Sequence, residues 1–203
     1  MNAKRIKHAT IGLALCGLTG AANADIIAGQ PVTAPVGLST ASIEFRGSSA
    51  GYTGELYFLG WGTRDDVLYF APTTRDGDDD DDDDDEGHLG QFLFNNHESA
   101  IGSIASLIGE FESGSVLHFA YKIISPHSKR DLFRTDEADD RNNFAYDITS
   151  GEYGIEDLRR ENHHYDGDFN DAMFDISFQS IPAPGSLALL SLGSLAMTRR
   201  RRR

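Results

Sequence analysis

The chain of 203 residues has a single cysteine, Cys16, and it lies among the first two dozen residues. Those residues read as a removable leader, and Leu15 stands where a lipid-anchored leader would carry a small residue. Cys16 is therefore expected to leave with the leader. The remaining chain then has no thiol, which excludes a disulfide framework and any thiolate metal site. A domain of this size can fold without such staples if its core is adequate. Cations are scarce as well: 18 Lys and Arg stand against 32 Asp and Glu, a formal charge of −14. Eight of the cations sit at the two ends, as Lys4, Arg5, Lys7 and the run Arg199 to Arg203. Between the ends ten cations face all 32 acids, a charge of about −22. A chain this acidic repels nucleic acid and anionic membranes. It attracts divalent cations, and calcium, which prefers carboxylate oxygen, is the one expected outside the cell. Also missing are a Gly-x-Ser-x-Gly nucleophile turn and a His-Glu-x-x-His zinc helix. No internal repeat points to a solenoid.

What is present begins at the N-terminus. Lys4, Arg5 and Lys7 form a basic segment, Ala9 to Ala21 is mostly small or apolar, and Ala22-Asn23-Ala24 precedes Asp25. Basic start, short apolar core and A-x-A site are the three parts of a secretory signal peptide, so residues 1–24 are expected to be removed by signal peptidase, which reads Ala22 and Ala24 and cuts just before Asp25. The opposite end has its own order. Pro182-Ala183-Pro184-Gly185 cannot continue a strand or a helix, because two prolines fix φ and remove backbone donors. An uncharged run from Leu187 to Met197 comes next, and then Thr198 and five arginines. A helix from Pro182 to Thr198 would be about 25 Å long. That is short of the roughly 30 Å hydrocarbon core, so the expected anchor is transient and leans on arginine snorkelling. The arginines are expected to stay cytoplasmic.

This order of turn, short apolar helix and terminal arginines resembles the PEP-CTERM sorting signal of Gram-negative bacteria. The matching positions are Pro182, Pro184 and Gly185 at the turn and Arg199 and Arg200 at the start of the basic end. Ala183 departs from the glutamate usual in that family. The resemblance covers residues 181–203 and implies recognition by an exosortase. It further implies inner-membrane anchoring during sorting, cleavage near the turn and release to the cell surface or an extracellular matrix.

Residues 25–180 are expected to form one all-β domain, an antiparallel β-sandwich or jelly roll, flanked by the signal peptide and the C-terminal hydrophobic helix. Strands are predicted at Leu38 to Phe45, Gly54 to Gly62, Val67 to Phe70, Gly90 to Phe94, Val116 to Ile124, Asn143 to Ile148 and Ala172 to Phe178. Short β-branched and aromatic runs bounded by Gly-rich turns carry this reading. Gly54 to Gly62 and Val67 to Phe70, separated by a short charged turn, are expected to pair as a hairpin. Ser99 to Ile108 is ambiguous, since Ile101, Ile104 and Ile108 have helical spacing, but Gly102 and Gly109 favour β for most of it. Asp78 to Asp85 is eight consecutive aspartates. Charge this dense cannot pack, so residues 76–87 read as an acidic surface loop with no defined site.

The chemistry concentrates near the C-terminal end. Glu156-Asp157-Leu158 is followed by Asp166-Gly167-Asp168-Phe169-Asn170-Asp171, which leads into the strand from Ala172. Oxygen side chains at Asp166, Asp168 and Asn170 match the first three ligand positions of a calcium loop. The EF-hand pattern then fails, with Asp171 where glycine is required and Ser177 where the bidentate glutamate should be. A β-loop calcium site is expected instead, completed by Glu156 or Asp157, with Asp171 in the same cluster. The alternative is that Asp168, Asn170 and Asp171 only bond backbone amides in turns. Arg159 and Arg160 are the competing compensation for the charge. These residues also resemble an extracellular bacterial domain of unknown function 4114. Its signature is a Glu-Asp-Leu segment, a spacer, and Asp-x-Asp-[Phe/Tyr]-Asn-Asp before a final strand. The resemblance spans about residues 90–178, with Arg159, Arg160, His163 and His164 departing from the usual spacer. It implies a β-sandwich and an acidic, calcium-binding motif in surface proteins, and it does not imply an enzyme.

Taken together, the sequence predicts an exported, non-enzymatic surface or matrix protein with a structural or adhesive role, supported by calcium. A carbohydrate-binding module acting on exopolysaccharide is the alternative, with Trp61 and Tyr57 on one strand face as stacking candidates. A secreted hydrolase is the third reading, resting only on the abundance of acids. His163-His164 reads as an exposed loop pair.

Overall fold

The computed structural model describes residues 26–72, 89–124 and 132–182. The expected signal peptide with Ala22 and Ala24, the acidic run at 76–87, and Pro184, Gly185, Arg199 and Arg200 of the sorting signal lie outside the described residues. Twelve strands are described: β1 Ile26–Ala28, β2 Val32–Thr33, β3 Ser39–Gly47, β4 Gly54–Gly62, β5 Val67–Phe70, β6 Gln91–Asn95, β7 Ile104–Ser106, β8 Val116–Ile123, β9 Leu132–Arg134, β10 Phe144–Asp147, β11 Tyr153–Ile155 and β12 Ala172–Ser180. The one described helical turn is Arg141–Asn143. Among the described residues no helix is long and apolar enough to cross a membrane.

The strands make two antiparallel sheets. The first has the order β1-β10-β11-β12-β3-β7. The second has the order β2-β8-β4-β5, with β6 also on β4 and β9 also on β8. β3 shows the period of two that one-sided burial imposes: Ala41, Ile43 and Phe45 are buried, while Thr40, Ser42, Glu44 and Arg46 alternate outward. The two sheets share one core. Phe45 on β3 meets Phe94 on β6 at 5.6 Å, and Phe119 on β8 meets Phe174 on β12 at 5.9 Å between ring centroids. The last strand ends where the prolines begin. Ile181 N–H donates to the Leu38 carbonyl at 2.8 Å, and Pro182 has no N–H with which to continue.

β4 is apolar on both faces, and a bulge decides which face each side chain takes. Leu56 and Phe58 enter the main core, whereas Tyr57 and Leu59 join Ala120 in a smaller cluster on the other side. The register against β8 slips between Phe58 and Gly60, which reverses the parity of Trp61 and Gly62. Gly60 has φ 141°, and a Cβ there would lie 1.9 Å from the Tyr69 carbonyl oxygen. Only glycine fits. Trp61 therefore turns toward Phe58 and Phe111, at 6.3 and 5.1 Å, and away from Tyr57. The expectation that Tyr57 and Trp61 share a face is corrected by this bulge.

A second correction concerns Ser99 to Ile108. Only Ile104–Ser106 is strand, because the Gly102 turn, at φ 85°, folds the chain back and donates its N–H to the Phe45 carbonyl. Ile101, Ile104 and Ile108 are exposed and do not enter the core.

Candidate metal site

The pairing of β11 with β12 brings the acidic residues together. Ile155 sits opposite Ala172, so the residues just beyond each strand end, Glu156 and Asp157 on one side and Asp171 on the other, meet at the neck of the intervening loop. Asp171 N–H donates to the Ile155 carbonyl at 3.1 Å. Asp157 N–H donates to the Asp171 carboxylate at 2.8 Å. Asn143 fastens the outgoing strand. Its side-chain amide donates to the carbonyls of Glu156 and Leu158 at 2.9 and 2.8 Å, and its own carbonyl accepts the Glu156 N–H. The Asp171 carbonyl accepts bonds from Ser48 Oγ at 2.6 Å, just past β3 of its own sheet, and from Asn96 Nδ2 at 3.4 Å, just past β6 of the second.

Phe169 is the hinge of the motif. It holds φ 54°, a conformation that costs a side-chain-bearing residue on the order of 1 kcal/mol or more. The ring is buried in return, and its backbone lies so close to Gly154 that a Cβ there would meet the Phe169 carbonyl oxygen at 2.1 Å. Asp168 is left exposed and Asn170 half-buried on either side of it. Asn170 donates to Asp168 from both its backbone and its side-chain amide.

The six predicted ligand residues are thus divided. One carboxylate oxygen each from Glu156, Asp157 and Asp171 forms an inner group, all within 4.8 Å of one another. Glu156, Asp166 and Asp168 form an outer group by the same measure. Glu156 belongs to both, so the residue that sequence spacing treated as a distant completion is central. Asn170 serves the Asp168 turn, and its carbonyl accepts the Ser49 N–H. Either group can hold a metal ion.

The electrostatics of the inner group are unfavourable as it stands. Glu156 is 1% exposed and Asp157 4% exposed. Burial, with Asp171, Asp166, Asp157 and Asp168 adding their charges in that order, pushes the Glu156 carboxyl up to about 8. Burial and Asp171 push Asp157 up to about 7, against the opposing hydrogen bond from the Tyr52 backbone. Burial also raises Asp171 above the usual carboxylate range. Asp157 Oδ2 is buried without a hydrogen-bond partner. Of the two arginines that could compensate the charge, Arg159 donates to Asp140 at 2.6 Å and its guanidinium lies over the Phe133 ring at 5.0 Å. A buried carboxylate needs compensation, and a cation supplies it.

The other candidates are simpler. His163 and His164 are exposed in the loop, with ring centroids 3.9 Å apart. Tyr57 is buried and its hydroxyl donates to Glu55 at 2.6 Å. Trp61 is covered by Tyr69, stacked at 5.3 Å and 21°. Nothing in the sequence pattern marks Tyr52, Asn96 or Asn143 as neighbours of the site, since each arrives from a separate strand or turn. Compared with family models, curated proteins and solved structures, the chain matches none.

Proposed function

We propose that the chain is an exported structural or adhesive protein of the cell surface or extracellular matrix, a β-sandwich whose β11–β12 end is held by calcium. The observation that carries this is the buried inner group, three carboxylates with an orphaned Asp157 oxygen and no cation of the chain among their strongest electrostatic neighbours. Calcium fits the all-oxygen donor set and the acidic character of the chain. Export, exosortase sorting and release rest on the signal peptide and the PEP-CTERM resemblance, and no catalysis is assigned. Glu156 and Asp157 are 1% and 4% exposed, which gives a sugar ring no access to the pair and favours an ion over hydrolysis.

Thermal melting with and without calcium tests the reading. Saturating calcium is expected to raise the melting temperature of the wild-type protein by several degrees, and Asp157→Asn is expected to abolish most of that rise. An unchanged rise in Asp157→Asn would show that the site is elsewhere.

A second reading, binding of exopolysaccharide, is favoured by one surface. Leu68, Tyr69 and Phe70 on the edge strand β5 are 59, 60 and 70% exposed, and Tyr69 is held flat by Trp61 beneath it. Tyr69 thus replaces Tyr57 as the stacking candidate. On this reading Tyr69→Ala lowers retention on the host's own polysaccharide in affinity electrophoresis without changing the melting temperature by more than a degree or so. Retention equal to wild type removes it.

A further inference from the structure

One cavity between the sheets runs against the acidic character of the chain. Leu117 and Phe119 of β8 line it from the second sheet, and Phe144, Tyr153 and Phe174 line it from the first. It holds about 400 Å³ of space, part of it open to solvent. Besides the Tyr153 hydroxyl, its polar side chains are Gln30, Arg64, Thr135 and Arg141. No aspartate or glutamate lines it. In a chain with 32 acids and ten cations between its ends, two arginines and no acid in one lining reverse the sign locally. Apolar walls with a few polar groups are the usual make-up of a small-molecule site. Arg141 carries the second observation. Its side chain is only 13% exposed. Nη2 donates to the Asp65 carboxylate at 2.9 Å and to the Asp136 and Arg64 carbonyls at 3.2 and 3.4 Å. These bonds fasten the guanidinium but compensate little of its charge, because Asp65 is 75% exposed and the other two acceptors are neutral. The Arg141 Nε is buried and has no acceptor among the described residues. A buried charged donor without a partner is costly, and an acceptor from a ligand removes that cost.

We propose that this cavity binds a small organic anion, a carboxylate carried on a short apolar chain or a single ring. The apolar part lies against Phe119, Phe144 and Phe174, and the carboxylate is taken by Arg141 and Arg64. A guanidinium suits a carboxylate because its donors are fixed in one plane and its charge is permanent. The site is independent of both readings above. None of the six acidic-cluster residues lines the cavity, and neither do Leu68, Tyr69 and Phe70.

Sodium octanoate is the probe and octanol its uncharged control, each titrated into the protein and followed by backbone amide chemical shifts. Octanoate is expected to saturate a single site, moving amides of β8, of the link from Gly29 to Val32 and of Arg141 to Phe144. Octanol is expected to bind about tenfold more weakly, since a hydrogen bond to a charged group is worth about a factor of ten or more. Arg141→Lys keeps the charge and loses Nε, and is expected to lower octanoate affinity about tenfold by the same reasoning. Arg64 is exposed, so Arg64→Gln is expected to fold as wild type and to weaken octanoate but not octanol. Val116 is a half-buried lining residue, and Val116→Phe is expected to fill the cavity and abolish binding of both probes. Equal affinity of the wild type for the two probes overturns the proposal by removing the role of the anion. Wild-type octanoate affinity in Val116→Phe, or shifts centred on Leu68 to Phe70, overturns it by placing the probe elsewhere. Absence of saturable octanoate binding overturns it outright and leaves the calcium reading standing.

Discussion

Phe119→Ala is expected to destabilise the protein by about 3–5 kcal/mol, measured by urea denaturation in the presence of calcium. Phe119 is 1% exposed on β8 and is the ring on which both sheets close. It lies 5.7 Å from Phe58 within its own sheet and 5.9 Å from Phe174 on β12 of the other. Removing it takes away its transfer free energy and leaves a cavity that a sheet pinned on both sides by ladders cannot collapse to fill. Whole domains are stable by only about 5–15 kcal/mol, so the variant is expected to be partly unfolded at physiological temperature. Ile101→Ala is the contrast. Ile101 is 74% exposed, and the expected change is within about 0.5 kcal/mol. A loss under about 1 kcal/mol at Phe119 would mean that the two sheets do not share this core.

The second large effect is a reversal of the usual pH dependence in the cation-free protein. Burial, with the neighbouring Asp171 next, pushes the Glu156 carboxyl up to about 8 and the Asp157 carboxyl up to about 7, above their ordinary values of 4.5 and 3.8. Between those limits the folded state holds protons that the unfolded state has already released. Stability in EDTA is therefore greatest below about pH 4 as far as these groups are concerned, falls as pH rises, and levels off above about pH 8. The total fall is expected to be on the order of several kcal/mol, since each pKa unit is about 1.4 kcal/mol. Calcium favours the ionised carboxylates and should flatten the slope. His118 acts in the opposite sense: it is buried with Nε2 2.6 Å from the Thr63 carbonyl, and burial lowers it, so its contribution is present above the ordinary histidine value of 6.5 and lost as pH falls through the folded one. Urea midpoints from pH 5 to pH 8.5 in EDTA and in calcium check this. A midpoint in EDTA that rises steadily toward pH 8.5 would show that the inner carboxylates are already compensated without a cation.

The strands of this chain were readable because most obey local rules. Gly54–Gly62 and Val67–Phe70 have the bounds that their flanking glycines and charged turn predict, and they pair as expected. The short strands β1, β2, β9 and β11 were not readable, since two or three residues carry no periodicity and depend on a neighbour for their geometry. Tyr57 and Trp61 show a different limit. A face assigned by counting residues holds only until a bulge, and the slip at Phe58 and Gly60 depends on the approach of Tyr69 from another strand.

The acidic site divides in the same way. The sequence alone determined that acids outnumber cations 32 to ten in the central region, that no thiol is available there, and that Glu156, Asp157, Asp166, Asp168, Asn170 and Asp171 are the candidate oxygen donors. Composition and spacing are local properties, and the chain carries them in any conformation. Only the tertiary structure decided that Glu156 joins two groups, that Asp157 is buried beside Asp171, and that Asn96 reaches the Asp171 carbonyl from the opposite sheet. Those facts come from strand register and from two sheets meeting across one core. Register and packing join residues far apart in the chain, and no spacing within a segment encodes them.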